Sequence, residues 1–104
     1  MTDRHNANVA HMVDGNGSNG RYGFRYSFSP RKAVQHWSNR DGSGDLWVTD
    51  NLLTEEVRKT IESVASINDS PYKKSEKLVI LKDDTKDNRV ALFKQIVKMC
   101  GGQF

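Results

Sequence analysis

Aromatic and polar residues alternate strictly between residues 21 and 28 of the chain. A period of two sends alternate side chains to opposite faces of an extended strand, and aromatic residues favour sheets. The segment is therefore predicted to be a β-strand with Arg21 and Arg25 on one face. The four rings of the other face are Tyr22, Phe24, Tyr26 and Phe28.

The segment after this strand, beginning at Ser29-Pro30, has two interpretations. Serine as an N-cap with proline at the first helical position would start a helix. Ser-Pro also opens turns, and a second strand would then cover residues 33–38. Two basic residues follow the proline directly and would oppose the dipole of a helix, which favours the turn.

A hairpin is predicted around Asp41-Gly42, because this dipeptide is typical of tight loops between strands. Arg40 and Asp45 would then lie opposite each other as a cross-strand ion pair. Residues 46–48 form the third predicted strand. Residues 78–81, four apolar residues in a row, are predicted to form a buried strand further along the chain.

Two amphipathic helices complete the pattern. The first is predicted near residues 52–68, with Thr54 as N-cap and an end before Pro71. Its apolar stripe consists of Leu53, Val57, Ile61 and Val64. The second is predicted at residues 88–100, with Asp87 as N-cap and Gly101-Gly102 as its end. Its inner face consists of Leu92, Phe93, Ile96, Val97 and Cys100.

These elements predict one α+β domain over residues 20–104. A small antiparallel or mixed sheet of three to four strands would be packed on one face by both helices. The four rings of the first strand are expected to form the core under the helices, since a small domain needs such burial. Residues 1–19, rich in Asn and Gly, are expected to be flexible, with an edge strand at 8–13 as the alternative.

The composition narrows the functional classes. The chain has 104 residues, of which 36% are hydrophobic, and one cysteine, so an intrachain disulfide is excluded. Neither a membrane-spanning run nor the apolar core of a secretory signal is found, and we expect a cytoplasmic protein without a membrane partner. Cys100 and His36 have no recognisable triad partners, and the phosphate-cradling glycine loops are missing. The three histidines show no metal-ligand spacing and are expected at the surface. A non-enzymatic protein without a cofactor is therefore expected.

Charge is distributed in two blocks that the net charge of +3 conceals. Residues 21–40 contain five basic residues and no acidic one, and residues 41–56 contain five acidic residues and no basic one. A clustered positive segment suits an anionic partner such as nucleic acid. Alternatively, the two blocks face each other in the fold and partly neutralise.

Nucleic acid, DNA or RNA, is the favoured partner. Residues 45–57 resemble the last strand and helix of ethylene-response-factor-type and integrase arm-binding domains, which implies that the basic residues face phosphates and base edges. Residues 20–27 also resemble part of an RNA-recognition aromatic motif, with the arginine, the glycine and the last aromatic displaced. The candidate binding residues are Arg21, Arg25, Arg31, Lys32, Arg40, Trp37 and Trp47.

Two other functions remain open. A small phage- or mobile-element-type inhibitor or adaptor that binds a host protein needs no motif, and tryptophan, tyrosine and arginine are the usual anchors of such interfaces. Residues 39–50 also resemble an EF-hand calcium loop, with Asn in place of Asp at the first position and Asp in place of Glu at the last. Its oxygen donors would come from Asn39, Asp41, Ser43, Asp45 and Asp50. A hairpin turn explains the same residues and is favoured.

Overall fold

The computed structural model describes residues 9–14 and 21–102. Its strands are β1 (Val9–Asp14), β2 (Arg21–Ser29), β3 (Lys32–Ser38), β4 (Gly44–Thr49), β5 (Ala65–Asp69) and β6 (Glu76–Leu81). Its α-helices are α1 (Glu55–Glu62) and α2 (Lys86–Met99), and a 3₁₀ turn (Asp50–Leu52) precedes α1. The α+β class is confirmed.

The strands form one sheet in the order β1-β2-β3-β4-β6-β5, and every described pair is antiparallel. The sheet is therefore larger than the three to four strands expected. Consecutive hairpins build β1 to β4, whereas β6 pairs with β4 and leaves β5 at the edge. The β1 strand corresponds to the edge-strand alternative for this segment. Residues 1–8 and 15–19 of the segment expected to be flexible lie outside the described residues.

Both helices pack on the same face of the sheet, as predicted. Tyr26 is buried at the centre of β2, and Phe24 and Phe28 on either side of it pack partly buried against the same core. The side chain of Tyr22 lies outside the described part of the chain. The sheet contributes Tyr26, Val34, Leu46, Val48, Ala65, Val79 and Leu81 to this core, and the helical segments contribute Leu52, Val57, Ile61, Leu92, Phe93, Ile96 and Val97. The aromatic strand is thus part of the core.

The first helix is shorter than its apolar pattern predicted. Thr54 is the N-cap as expected, since its side chain accepts a hydrogen bond from the N–H of Val57 at 3.2 Å. The helix ends at Glu62, however, and Val64 is 46% exposed. The residues after it form β5, which pairs with β6 along five positions. The backbone bonds available along the edge of β6 outweigh the weak helical preference of Ser66-Ile67-Asn68.

The second helix begins two residues earlier than predicted. Its N-cap is Thr85, whose side chain accepts a hydrogen bond from the N–H of Asn88 at 3.1 Å, so the assignment of Asp87 was wrong. The expected inner face is buried, with Cys100 partly covered. Gly101 has a φ of 92° and ends the helix as predicted, because this left-handed conformation suits glycine. None of the described helices has the length and apolar character to cross a membrane.

Two further predictions concern the strands. The turn after Ser29 is confirmed, and β2 and β3 form a hairpin across Pro30-Arg31. The strand at 78–81 is confirmed as β6, but only one side of it is buried: Val79 and Leu81 face the core, whereas Ile80 is 47% exposed. Its exposed side belongs to the face of the sheet opposite the helices, which we call the open face.

Candidate functional site

The open face gathers several of the residues predicted to bind a partner. In the strand register, Arg25 of β2 pairs with Gln35 of β3, Gln35 with Trp47 of β4, and Trp47 with Leu78 of β6. This row of side chains crosses the centre of the sheet and ends at Asn68 of β5. A neighbouring row contains Gly23, Trp37, Asp45, Ile80 and Ser66. No described helix packs on these two rows.

Three aromatic residues lie on or beside this face. Trp37 and Trp47 are diagonal neighbours on adjacent strands, because Trp37 pairs with Asp45, two residues before Trp47. Such diagonal positions have Cα atoms about 7–8 Å apart. Tyr72, in the loop between β5 and β6, is 81% exposed, and its ring centroid lies 6.0 Å from that of Trp47. The two tryptophans are partly exposed. Together they form an aromatic patch on an otherwise mixed surface.

Hydrogen bonds hold the polar side chains of this face in place. The indole N–H of Trp37 donates to Oε1 of Gln35 at 2.9 Å, which leaves the amide Nε2 of Gln35 as its donor. Arg25 donates from Nη1 to Oγ of Ser27 at 3.2 Å, so that its guanidinium leans along β2. A guanidinium has five N–H donors, and one bond of this kind leaves most of them for other contacts.

Basic residues lie at both ends of β3. Arg31 lies in the β2–β3 turn and Lys32 begins β3, and both are exposed. Arg40 is exposed in the β3–β4 loop at the opposite end. Seven residues of β3 separate the two loops, a span of about 20 Å, with Arg25 near its middle. Arg31, Arg25 and Arg40 are therefore spread along one direction of the sheet, whereas Lys32 shares the strand parity of the buried Val34 and lies near the thiol of Cys100 on the helix-facing side. The side chain of Arg21 lies outside the described residues.

Side chains from outside the hairpins anchor both of these loops. Asn51 donates from Nδ2 to the carbonyl oxygen of Arg31 at 3.0 Å, and the Oγ1 of Thr49 accepts the N–H of Ala33 at 3.0 Å. At the other end, Arg89 of α2 donates from Nη2 to the carbonyl oxygen of Gly42 and to Oγ of Ser38. The positions of the flanking basic residues are thus set by the whole fold.

The proposed calcium ligands are not brought to one point. Asn39, Asp41 and Ser43 bond one another in the hairpin loop, where Oδ1 of Asp41 accepts both the N–H and the hydroxyl of Ser43 at 3.0 and 2.6 Å. These bonds from Ser43 lower the pKa of Asp41. Asp45 is on β4, and Asp50 follows the far end of that strand, about 20 Å away from the loop. Within the described ranges, no group of three acidic, His or Cys residues could hold a metal ion.

Two buried polar side chains, Arg89 and His36, lie between the sheet and the helices and were not predicted from the sequence. Arg89 is 1% exposed and pairs with Asp84, with 2.6 Å between Nη1 and Oδ1. His36 is 2% exposed, so its expected surface position was wrong, and its ring packs edge-on against Phe93 at 4.6 Å between centroids. Helical spacing could have placed Arg89, because it precedes Leu92 and Phe93 by three and four residues on the inner stripe.

The buried titratable groups are poorly suited to chemistry on a substrate. Burial, helped by the charges of Arg89 and Lys94, lowers the pKa of His36 to about 4, so this side chain is neutral at pH 7. Burial raises the pKa of the Cys100 thiol, and the nearby charge of Lys32 only partly opposes this. A protonated thiol is a weak nucleophile. The described groups with shifted pKa values therefore belong to the core or to a turn.

Comparisons with known proteins found no relative. No protein-family model matches the chain, and neither the curated proteins nor the solved structures yielded a match.

Proposed function

We propose that this protein is a non-catalytic nucleic-acid-binding protein and that the open face is its binding surface. One observation carries the proposal: Arg25, Trp37 and Trp47, predicted from sequence as binding residues, lie together on the side of the sheet without a described helix. Arginine binds phosphate through several N–H donors, and exposed aromatic rings stack on bases. Tryptophan side chains are not required for solubility, so two partly exposed tryptophans on one sheet face favour a binding surface.

The positions of the basic residues support the same partner. Arg31 lies at one end of β3 and Arg40 at the other, with Arg25 between them. A phosphate backbone carries its charges at regular intervals, so a line of cations matches it better than a single cluster does. The acidic block of residues 41–56 contributes one side chain, Asp45, to the two central rows, because Asp50 and α1 lie elsewhere in the fold.

Binding to short single-stranded and duplex DNA and RNA at low salt tests the proposal. We expect affinity to fall steeply with salt, with a slope of about 0.7 to 0.9 per phosphate contact in a logarithmic plot. Exchange of Arg25, Arg31 and Arg40 for Ala should abolish most binding and flatten the slope. The matched control exchanges Arg58, Lys59 and Lys98 for Ala, three exposed basic residues on the helices. Absence of binding to every nucleic acid at low salt would refute the proposal.

A host-protein partner is the second candidate, and one observation favours it. Two large apolar side chains are exposed in this region: Ile80 on the open face is 47% exposed, and Tyr72, in the loop next to this face, is 81% exposed. Aromatic and aliphatic side chains of this kind anchor protein interfaces. Purification from the native cell, with and without nuclease treatment, separates the two candidates. A stoichiometric protein partner that survives nuclease would support an inhibitor or adaptor.

A further inference from the structure

We infer that the open face selects single-stranded nucleic acid, with two bases stacked on Trp37 and Trp47. This inference rests on the proposed function and names its substrate class. In a duplex, base faces are covered by their neighbours, and rings on the surface of a sheet do not reach them. In a single strand the faces are available, and stacking on protein rings is the usual source of affinity.

The geometry of the two rings fits neighbouring bases of one strand. Trp37 and Trp47 are diagonal neighbours, which places their Cα atoms about 7–8 Å apart. The step from Trp37 to Trp47 covers two residues along the strands and one strand across, from β3 to β4, and the basic residues from Arg31 to Arg40 are also spread along β3. Tyr72 lies beside Trp47 with an interplanar angle of 52°, and so borders one side of its stacking position. A strand that follows β3 therefore meets both rings in succession.

The position of Arg25 gives the bound strand an orientation. Arg25 lies on the β2 side of Gln35, and Trp47 lies on its β4 side. A guanidinium binds phosphate through several N–H donors. The sugar-phosphate backbone is therefore placed on the β2 side, against Arg25, with the bases pointing toward β4.

Gln35 is the polar residue between the two rings. It pairs with Trp47 across the sheet, and the bond from the indole of Trp37 fixes its amide so that Nε2 is the remaining donor. A donor at this position can contact the carbonyl oxygens or ring nitrogens of a stacked base.

An abasic oligonucleotide provides the sharpest test, because it keeps the phosphates and removes only the bases. The full chain is titrated with a single strand of about 10 nucleotides, within the range of known single-strand sites, with its abasic counterpart, and with a duplex of equal length. We expect the intact single strand to bind at least about tenfold more tightly than either, and to quench tryptophan fluorescence. Equal affinity for the intact and abasic strands would overturn the inference even though nucleic acid is bound.

Variants test each ring separately. Trp37→Ala and Trp47→Ala should each weaken binding of the intact strand by about tenfold and leave binding of the abasic strand unchanged. Trp37→Phe and Trp47→Phe keep a stacking surface and should recover most of the lost affinity. Circular dichroism of each variant shows whether the fold is kept. Tight binding by both Ala variants in the folded state would overturn the inference, whereas the absence of any nucleic-acid binding would instead refute the proposed function beneath it.

Discussion

His36 makes the stability of this protein depend on pH in a way that can be calculated from its surroundings. Its ring lies on the helix-facing side of β3, with ring centroids 5.8 Å from Phe24 and 4.6 Å from Phe93. Its Nδ1 is buried and has no hydrogen-bond partner among the described residues, and the nearby charges of Arg89 and Lys94 disfavour a further positive charge. Burial and these two charges lower the pKa from 6.5 to about 4.

The direction of the effect follows from which state binds more protons. Between pH 6.5 and pH 4 the imidazole is protonated in the unfolded chain and neutral in the folded one. The contribution of His36 to the free energy of unfolding is therefore fully present above pH 6.5 and is lost as the pH is lowered toward 4. Each unit of pKa difference corresponds to about 1.4 kcal/mol, so lowering the pH from 6.5 to 4 removes about 3 kcal/mol from the free energy of unfolding through this one residue.

The assay compares urea unfolding of the natural protein and of His36→Leu at pH 7.5 and pH 4.5. Leucine fills a similar volume between Phe24 and Phe93 and does not titrate. All other titratable groups are the same in both proteins, so the difference between the two free energies isolates His36. We expect this difference to grow by about 2–3 kcal/mol in favour of the variant as the pH falls. Equal losses of stability in both proteins would refute the buried, neutral state of this imidazole.

Three more predictions concern Arg89, Gly44 and the loop of residues 39–50. Arg89→Met should lower the free energy of unfolding, measured by urea unfolding, by about 3 kcal/mol, because Asp84, Ser38 and the carbonyl of Gly42 lose their hydrogen-bond donor. Unchanged stability of this variant would contradict the prediction. Gly44→Ala should cost at least about 1 kcal/mol in the same assay, because its Cβ would overlap the carbonyl oxygen of Trp37. Millimolar calcium should leave the melting temperature unchanged, and a rise would revive the loop of residues 39–50 as a calcium site.

Local patterns in the sequence were enough to predict much of the fold. The alternation over residues 21–28 predicted both the strand and the side of it that enters the core, because strand geometry alone sends alternate residues to opposite faces. Thr54 was found as a helix cap and Asp41-Gly42 as a hairpin loop, since both depend on hydrogen bonds within a few residues. The α+β class follows from such local rules.

Where tertiary contacts compete with local preference, the sequence was an incomplete guide. The apolar stripe that predicted helix as far as residue 68 contains Val64, yet the chain leaves the helix at Glu62 and pairs with β6. Residues 78–81 appeared suited to burial on both sides, yet Ile80 is exposed because both helices lie on the other face. Which face of a sheet is covered depends on where distant segments pack.

The sequence by itself determined the residue types of the candidate site: arginines at regular positions in β2 and two tryptophans in separate segments. Only the tertiary structure decided that Arg25, Trp37 and Trp47 share one open face, since strand register and not sequence distance makes them neighbours. It likewise placed Asp50 at the far end of β4 from the other proposed calcium ligands, and Arg89 beneath the hairpin that holds Arg40. Residues far apart in the chain become a surface only through the pairing of strands.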